Sequence, residues 1–304
     1  MGLIDMDYGI VILTYNAEKT IGILIEKLLK HKDKILIVDS SSSDQTIDIV
    51  KSYGIKYHII DKKVFNHGLT REKARKILNT DIVVFMTQDA IPANDDLIPK
   101  LIQPILEGKA HYSYARQIPH KGAGFFEAFP RYYNYPEESQ IRSKDDINKY
   151  GVYAFFSSDS CSAYLNSALD SIGGFGDVLT SEDYIASAKL IESGYKIAYV
   201  AEAIVFHSHN YSLIEEFKRY FDTAYIRAQN PWIQELVGHA EKRGLDFFKC
   251  MLKEIIPWKI HLLPYAIIST FVKLLGYRLG FLLYGKNKNI VKYFSSQRYY
   301  WENH

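Results

Sequence analysis

Two cysteines in 304 residues, Cys161 and Cys250, are too few and too far apart for a disulfide framework or a Cys-x-x-Cys zinc site. A reducing, cytoplasmic home is expected. The first apolar run is followed by "TYNAEK", with no Gly-rich turn, which excludes a dinucleotide-binding oxidoreductase despite the alternation described below. No nucleic-acid reader motif is present, so no nucleic-acid partner is expected. The opening "MGLIDMDYGIVILTYN" lacks a basic stretch and a cleavage site, and Met6 stands where myristoylation wants Ser or Thr, so neither secretion nor acylation is expected. The longest charge-free apolar run towards the C-terminus, Ile260 to Val272, is shorter than the about 20 residues of a spanning helix.

What remains is an ordinary globular composition, 47% hydrophobic with a net charge of +2. The charge is unevenly spread: from Glu241 to the end Lys and Arg outnumber Asp and Glu by eleven to four. This predicts a domain over residues 1–240 and a basic, apolar helical extension over 241–304. The stretch "IIPWKIHLLPYAIISTFVKLLGYRLGFLLYG" interleaves aromatic and aliphatic residues with cations, which suits helices lying on anionic lipid and suits equally a homodimer interface or a cap on the core.

From residue 8, β-rich runs alternate with amphipathic segments: "YGIVILTY", a helix near 17–30, "ILIVDS", a helix near 45–53, "KYHII", a helix to about Leu78, "DIVVFM", and a helix near 95–107. Near-continuous apolar strands in such alternation predict an α/β fold with a mostly parallel sheet covered by helices on both faces. Ligands bind beyond the carboxyl ends of such strands. Polar groups gather there: Thr14, Tyr15 and Asn16 after the first strand, Asp39 and a Ser-rich turn after the second, Gln88 and Asp89 after the fourth. Asn16 and Asp44 also suit helix N-caps, and Ser-rich turns are common. Between about residues 120 and 150 "FFEAFPRYYNYPEE" shows no clear period, and its aromatics predict a wall of a binding cleft.

Two further stretches bear chemistry. In "TSEDYIASAKLIESGYKIAYV" the spacing of Thr180 and Asp183 fits a capping box, and the adjacent carboxylates Glu182 and Asp183 equally suit proton transfer. In "VFHSHNYSL", alternation puts His207 and His209 on one side of an extended segment, in a structural role or as imidazole ligands.

Together, "VILTYNAEKTI", "ILIVDSSSSDQTIDIV", "FNHGLTREKA", "FMTQDAIP", "GGFGDVLTSEDYIASAKLIESGYKIAYV" and "VFHSHNYSL" resemble, in order and over roughly residues 8–230, the inverting glycosyltransferases of family 2. "FNHGLTRE" and "TQDA" look most like the bacterial rhamnosyltransferases that use dTDP-rhamnose. The resemblance implies the GT-A fold, a mixed, mostly parallel sheet flanked by helices, here with a C-terminal helical extension. It implies that Thr14, Tyr15, Asn16, Asp39, Ser41, His67, Gly68 and Gln88 hold the nucleotide sugar, and that Asp183 is the general base with Glu182 as orienter or acceptor contact. Arg71 would face the pyrophosphate or stand as an exposed helix cation. Where most relatives carry DxD, this chain has Gln88-Asp89-Ala90, so Mg²⁺ or Mn²⁺ would be held by Asp89 with His207 or His209. The implied acceptor is a saccharide or glycolipid at the inner face of the cell membrane. A UDP-hexose or UDP-N-acetylhexosamine transferase and a non-catalytic nucleotide-sugar-binding scaffold are the alternatives.

Overall fold

The computed structural model describes residues 6–237 and 241–303. The chain divides into two compact units, one of Met1–Asp146, Ala154–Val178 and Glu182–Ser208, the other of Ile147–Tyr153, Leu179–Ser181 and His209–His304. The boundary expected at residue 240 lies outside the described residues, and the units part at 208/209.

The first unit is built as its apolar runs dictate. β1 (Tyr8–Thr14), α1 (Ile21–Lys27), β2 (Ile35–Asp39), α2 (Thr46–Ser52), β3 (Lys56–Ile59), α3 (His67–Leu78) and β4 (Ile82–Thr87) follow in strict alternation. The first helix is shorter than expected, because the chain tightens into a 3-10 turn over Leu29–Lys34. β5 (Ile91–Pro92), α4 (Leu97–Leu106) and β6 (Tyr112–Ile118) come next. The segment expected to lack regular structure instead forms α5 (Phe125–Asn134) and β7 (Gln140–Arg142). Pro130 inside α5 and a helix with no buried residue hid its period from a pattern search. After α6 (Ile147–Tyr150), which belongs to the second unit, come β8 (Cys161–Leu165), α7 (Asn166–Ser171), α8 (Glu182–Glu192) and β9 (Ile197–Phe206).

The nine strands form one sheet in the order β3-β2-β1-β4-β8-β6-β9-β5, with β7 beside β9. β1 to β4 pair in parallel, as do β6 and β9, whereas β8 runs antiparallel to both neighbours. The carboxyl ends of β1, β2, β4, β6 and β9 therefore share one edge with the entry to β8. Register fixes the neighbours there, Thr14 opposite Asp39 and Leu13 opposite Thr87. Beneath, Ile10, Ile12, Ile37, Val84, Leu24 and Leu101 are fully or almost fully buried between sheet and helices, the main source of stability at this edge.

The second unit contains α9 (Leu213–Gln229), α10 (Pro231–Val237), α11 (Glu241–Ile255), α12 (Leu263–Leu282), α13 (Lys288–Phe294) and α14 (Arg298–Asn303). Ser212 and Glu215 close a capping box on α9. α9 and α12 pack so closely that a Cβ on Gly276 or Gly280 would lie 2.4 Å from the Phe217 or Phe221 carbonyl oxygen. Glu216 clamps the pair by accepting from Ser269 Oγ at 2.7 Å and pairing with Lys273 Nζ at 2.8 Å.

Candidate active site

At the entry to β8 and the start of α8 three carboxylates meet one guanidinium. Arg71 lies one turn into α3, a helix started by Asn66, whose Oδ1 accepts from the Leu69 N–H at 2.9 Å. Gly68 lets α3 come close: a Cβ there would lie 2.2 Å from the Gly176 carbonyl oxygen. Arg71 is 3% exposed, pairs through Nη1 with Glu182 Oε1 at 2.8 Å and stands 3.5 Å through Nε from Asp159 Oδ2. Asp159 in turn accepts at Oδ1 from Ser162 Oγ (2.6 Å) and Tyr164 OH (2.8 Å). Asp183 accepts from the backbone N–H groups of Tyr184 and Asp159, at 2.7 and 3.2 Å.

This arrangement separates the carboxylates by charge. Burial alone would raise Glu182, but the Arg71 and His67 charges outweigh it and hold the group below its usual value. Burial lifts Asp159 to about 6, with Arg71 pulling down and Glu182 pushing up. Asp183 receives least relief: burial, then the charges of Glu182 and Asp159, push its carboxyl up to about 8. One carboxylate is thus ionised and tied up, while its neighbour has the proton affinity a general base needs near neutral pH.

A second cluster lies at the ends of β4, β6 and β9. His207 Nε2 is 3.5 Å from Asp89 Oδ1. Its Nδ1 is 2.9 Å from Gln117 Oε1, an oxygen that also accepts from Arg131, while Gln117 Nε2 donates to Ser158 Oγ at 2.8 Å. A carbonyl oxygen can only accept, so this contact puts the proton on Nδ1 and the lone pair on Nε2, facing Asp89. Burial also pushes the imidazole below its usual pKa, favouring the neutral form. A carboxylate oxygen and an oriented neutral imidazole are donors that fit a divalent cation, with Gln117 fixing the ring from behind.

The third part lies beyond β1 and β2. Asp39 is fully buried, and its carboxylate accepts from Thr14 Oγ1 (2.9 Å), Ser42 N–H (2.8 Å) and Ser42 Oγ (2.5 Å). Asn16 and Ser41 have φ of 49° and 57°, left-handed conformations that non-glycine residues seldom adopt and that concentrate at functional loops. Gln88 forms a two-way amide bond with the Tyr15 backbone, accepting at 2.7 Å and donating at 3.1 Å. The Tyr15 ring is open to solvent and carries Lys62 Nζ 3.8 Å from its centroid. A cleft of about 460 Å³ beside them is lined by Asn16, Glu18, Lys19, Asp44, Gln88 and Asp89.

Known proteins share this combination of fold and motifs. The model of glycosyl transferase family 2 matches residues 9–173. The O-antigen chain rhamnosyltransferase RfbN of Salmonella typhimurium is 38% identical over 304 residues, 98% of this chain and 97% of that one. WbaN of Salmonella anatum, also an O-antigen chain rhamnosyltransferase, is 38% identical over 280 residues, 91% and 89% of the two chains. The chain belongs to glycosyl transferase family 2. Its fold matches that of the mannosyltransferase PcManGT from Pyrobaculum calidifontis, solved with GDP-Man and Mn²⁺, with a TM-score of 0.60 at 14% identity over 91% of this chain and 86% of that one.

Several sequence expectations for this glycosyltransferase are corrected by geometry. Arg71 is neither an exposed cation nor turned to an open phosphate site, since two buried carboxylates engage it. Gly68 is explained by its backbone approach to Gly176. Asp39 is buried and knits the loops after β1 and β2 together, beside the exposed Tyr15, Asn16 and Ser41. α8 begins at Glu182, after a Ser181 with φ of 60°, and the Asp183 carboxylate turns to Asp159 and Tyr184, so the Thr180–Asp183 capping box does not form. β9 stops at Phe206, so His207 and His209 follow the strand, with His209 the first residue of the second unit's longest segment. His67 keeps its ring 3.9 Å from Glu182.

Asp159, Gln117 and Lys62 escaped the sequence reading. "SSDS" looks like a polar turn, and Lys62 has no pattern to mark it. Gln117 had a readable signal, as a polar residue one position from the end of a mostly buried strand.

Proposed function

We propose that this glycosyltransferase moves L-rhamnose, with inversion, from dTDP-rhamnose to a saccharide acceptor in surface polysaccharide synthesis. The observation that carries the mechanism is Asp183, a buried carboxylate at the start of α8 whose neighbours raise its proton affinity. The Asp183 carboxylate takes the proton of an acceptor hydroxyl. That oxygen attacks the anomeric carbon, and the bond to the nucleotide diphosphate breaks with its electron pair leaving on the diphosphate. The backbone N–H groups of Tyr184 and Asp159 hold the Asp183 carboxylate, and Glu182, paired with Arg71, raises its proton affinity as orienter or meets the acceptor. The two Salmonella relatives, both O-antigen chain rhamnosyltransferases, support rhamnose as the sugar moved and surface polysaccharide as the product.

Thr14, Tyr15, Asn16, Asp39, Ser41 and Gln88 form the nucleotide side of the site, Asp39 by holding the loops and Tyr15 by offering a ring face. Asp89 and His207 would hold Mg²⁺ or Mn²⁺, with His209, two residues along, as the third candidate ligand. The metal would supply positive charge to the leaving diphosphate. The rings of α5, where Phe125, Phe129 and Tyr133 line up with centroids 5.6 and 6.0 Å apart, offer a stacking face to an acceptor sugar. The protein works at the cytoplasmic face of the membrane as a peripheral enzyme.

The test is transfer or hydrolysis across a panel of nucleotide sugars. Turnover with dTDP-rhamnose alone supports the reading, turnover with UDP-hexoses overturns the donor, and binding without turnover favours a scaffold. Chelation is expected to abolish turnover and Mn²⁺ or Mg²⁺ to restore it, and His207→Ala should raise the metal concentration for half-maximal activity by about 10–100-fold. The pH profile should also follow Asp183. A base works deprotonated, so kcat/KM is expected to rise with pH and level off above about 8, whereas an ordinary aspartate would level off near 4. A profile already flat at pH 6 removes Asp183 as the raised base.

A further inference from the structure

One face of the second unit has no role in the chemistry above. α12 turns Ala266, Ser269, Gly276 and Gly280 inward against α9, a face of small residues that lets its large ones point away. Ile267, Ile268, Phe271, Leu274, Leu275 and Leu282 are each about half or more exposed. From Ile267 to Leu275 they recur every three or four residues, and after the exposed Arg278 on the same face Leu282 continues the stripe, along about 22 Å of helix in all. An apolar strip of this length on a water-soluble surface marks a binding face.

The ends of the stripe show what it meets. Before it stand Trp258, 89% exposed, and Lys259, and after it Tyr284, Lys286 and Lys288, all exposed. Beyond Ile255 the chain has seven Lys and Arg against one acidic residue, Glu302. Indole and phenol rings with cations at both ends of an apolar helix face match the headgroup layer of an anionic bilayer, where the rings sit at the boundary and the cations meet lipid phosphates.

The helix is long and apolar enough to cross a membrane, over Ile260–Leu282. Its partner prevents this. α9 runs against α12 with Glu215 and Arg219 exposed, and Lys273 within α12 is held to Glu216. Crossing the bilayer would carry these charges into hydrocarbon, at a cost of several kcal/mol. Lying flat sinks only the stripe, and Arg278 on it has a stem long enough to carry its guanidinium up to the lipid phosphates.

We propose that α12 lies in the plane of an anionic lipid surface, with the Ile267–Leu282 stripe seated at the headgroup boundary. This deepens the peripheral location proposed above. The full chain should float with phosphatidylcholine vesicles that contain phosphatidylglycerol, float less with pure phosphatidylcholine, and be released by salt. F271E/L275E changes two exposed side chains and should keep the thermal midpoint while lowering the vesicle partition coefficient by about tenfold or more. A wild-type chain left at the bottom of the gradient with anionic vesicles overturns the proposal, as does a variant that floats equally well. So does a dimer, detected by light scattering, that F271E/L275E splits while neither protein floats, since the stripe would then cover a second copy. Sugar transfer does not enter the assay, so its outcome is independent of the donor and the base.

Discussion

Asp183→Asn is expected to lower kcat by about 10²–10⁴-fold, the range a lost general base removes, while donor binding, read from the thermal shift that the nucleotide sugar produces, stays intact. Asn keeps the shape and, like the protonated acid, one acceptor oxygen where the carboxylate offers one each to Tyr184 and Asp159, but it cannot take a proton. The same substitution should make the protein more stable. Asp183 binds its proton more tightly folded than unfolded, since its carboxyl rises from 3.8 to about 8. Its burial is therefore cheap below about pH 4, costs progressively more as pH rises towards 8, and levels off above. The variant escapes that cost, so its melting midpoint should exceed the wild type's by several degrees at pH 8.5 and match it near pH 4. Equal midpoints at both pH values would show that Asp183 is not held in a raised state.

Arg71→Met should have the largest effect on stability. The substitution removes the cation facing Glu182, Asp159 and Asp183 and leaves buried carboxylates without compensation. Breaking one side of a buried pair costs about 3–5 kcal/mol, which lowers the midpoint of a chain of this size by about 10 °C. Neutralising the partners should undo much of it, because replacing both sides of a buried pair costs far less than stranding one. Arg71→Met combined with Glu182→Gln and Asp159→Asn should recover at least half of the lost midpoint without recovering activity. A loss that simply adds across the three substitutions would show that the cluster does not act as a unit. Arg71→Lys should fall between, since an ammonium cannot bridge two carboxylates as a guanidinium does.

What the sequence revealed follows from which forces are local. β1, β2, β4 and the helices between them could be read because each is an uninterrupted apolar run with punctuation at its ends, and the polar residues after each strand landed on one edge because parallel strands align their ends. Glu182 and Asp183 stood out as neighbours in one motif. Asp159 did not, because its importance comes from β8 running against its neighbours, a long-range pairing with no local mark. The engagement of Arg71 was hidden for the same reason, since its partners lie 88 and 111 positions further on. α5 was missed because its rings pack on one another instead of into a core, so no buried stripe records the helix.

The close approach of Gly68 to Gly176 has a consequence for reading mutational scans of this enzyme. Position 68 closes "FNHG", beside residues expected to grip the donor, and its replacement would register as lost turnover. A methyl group there has to push the start of α3 away from the Gly176 loop, and Arg71, one turn along the same rigid rod, would be levered out of its socket. The defect would thus look like a weakened grip on the sugar nucleotide while originating in a mechanical displacement, and no side chain placed at 176 would relieve it, because the obstacle is a backbone oxygen.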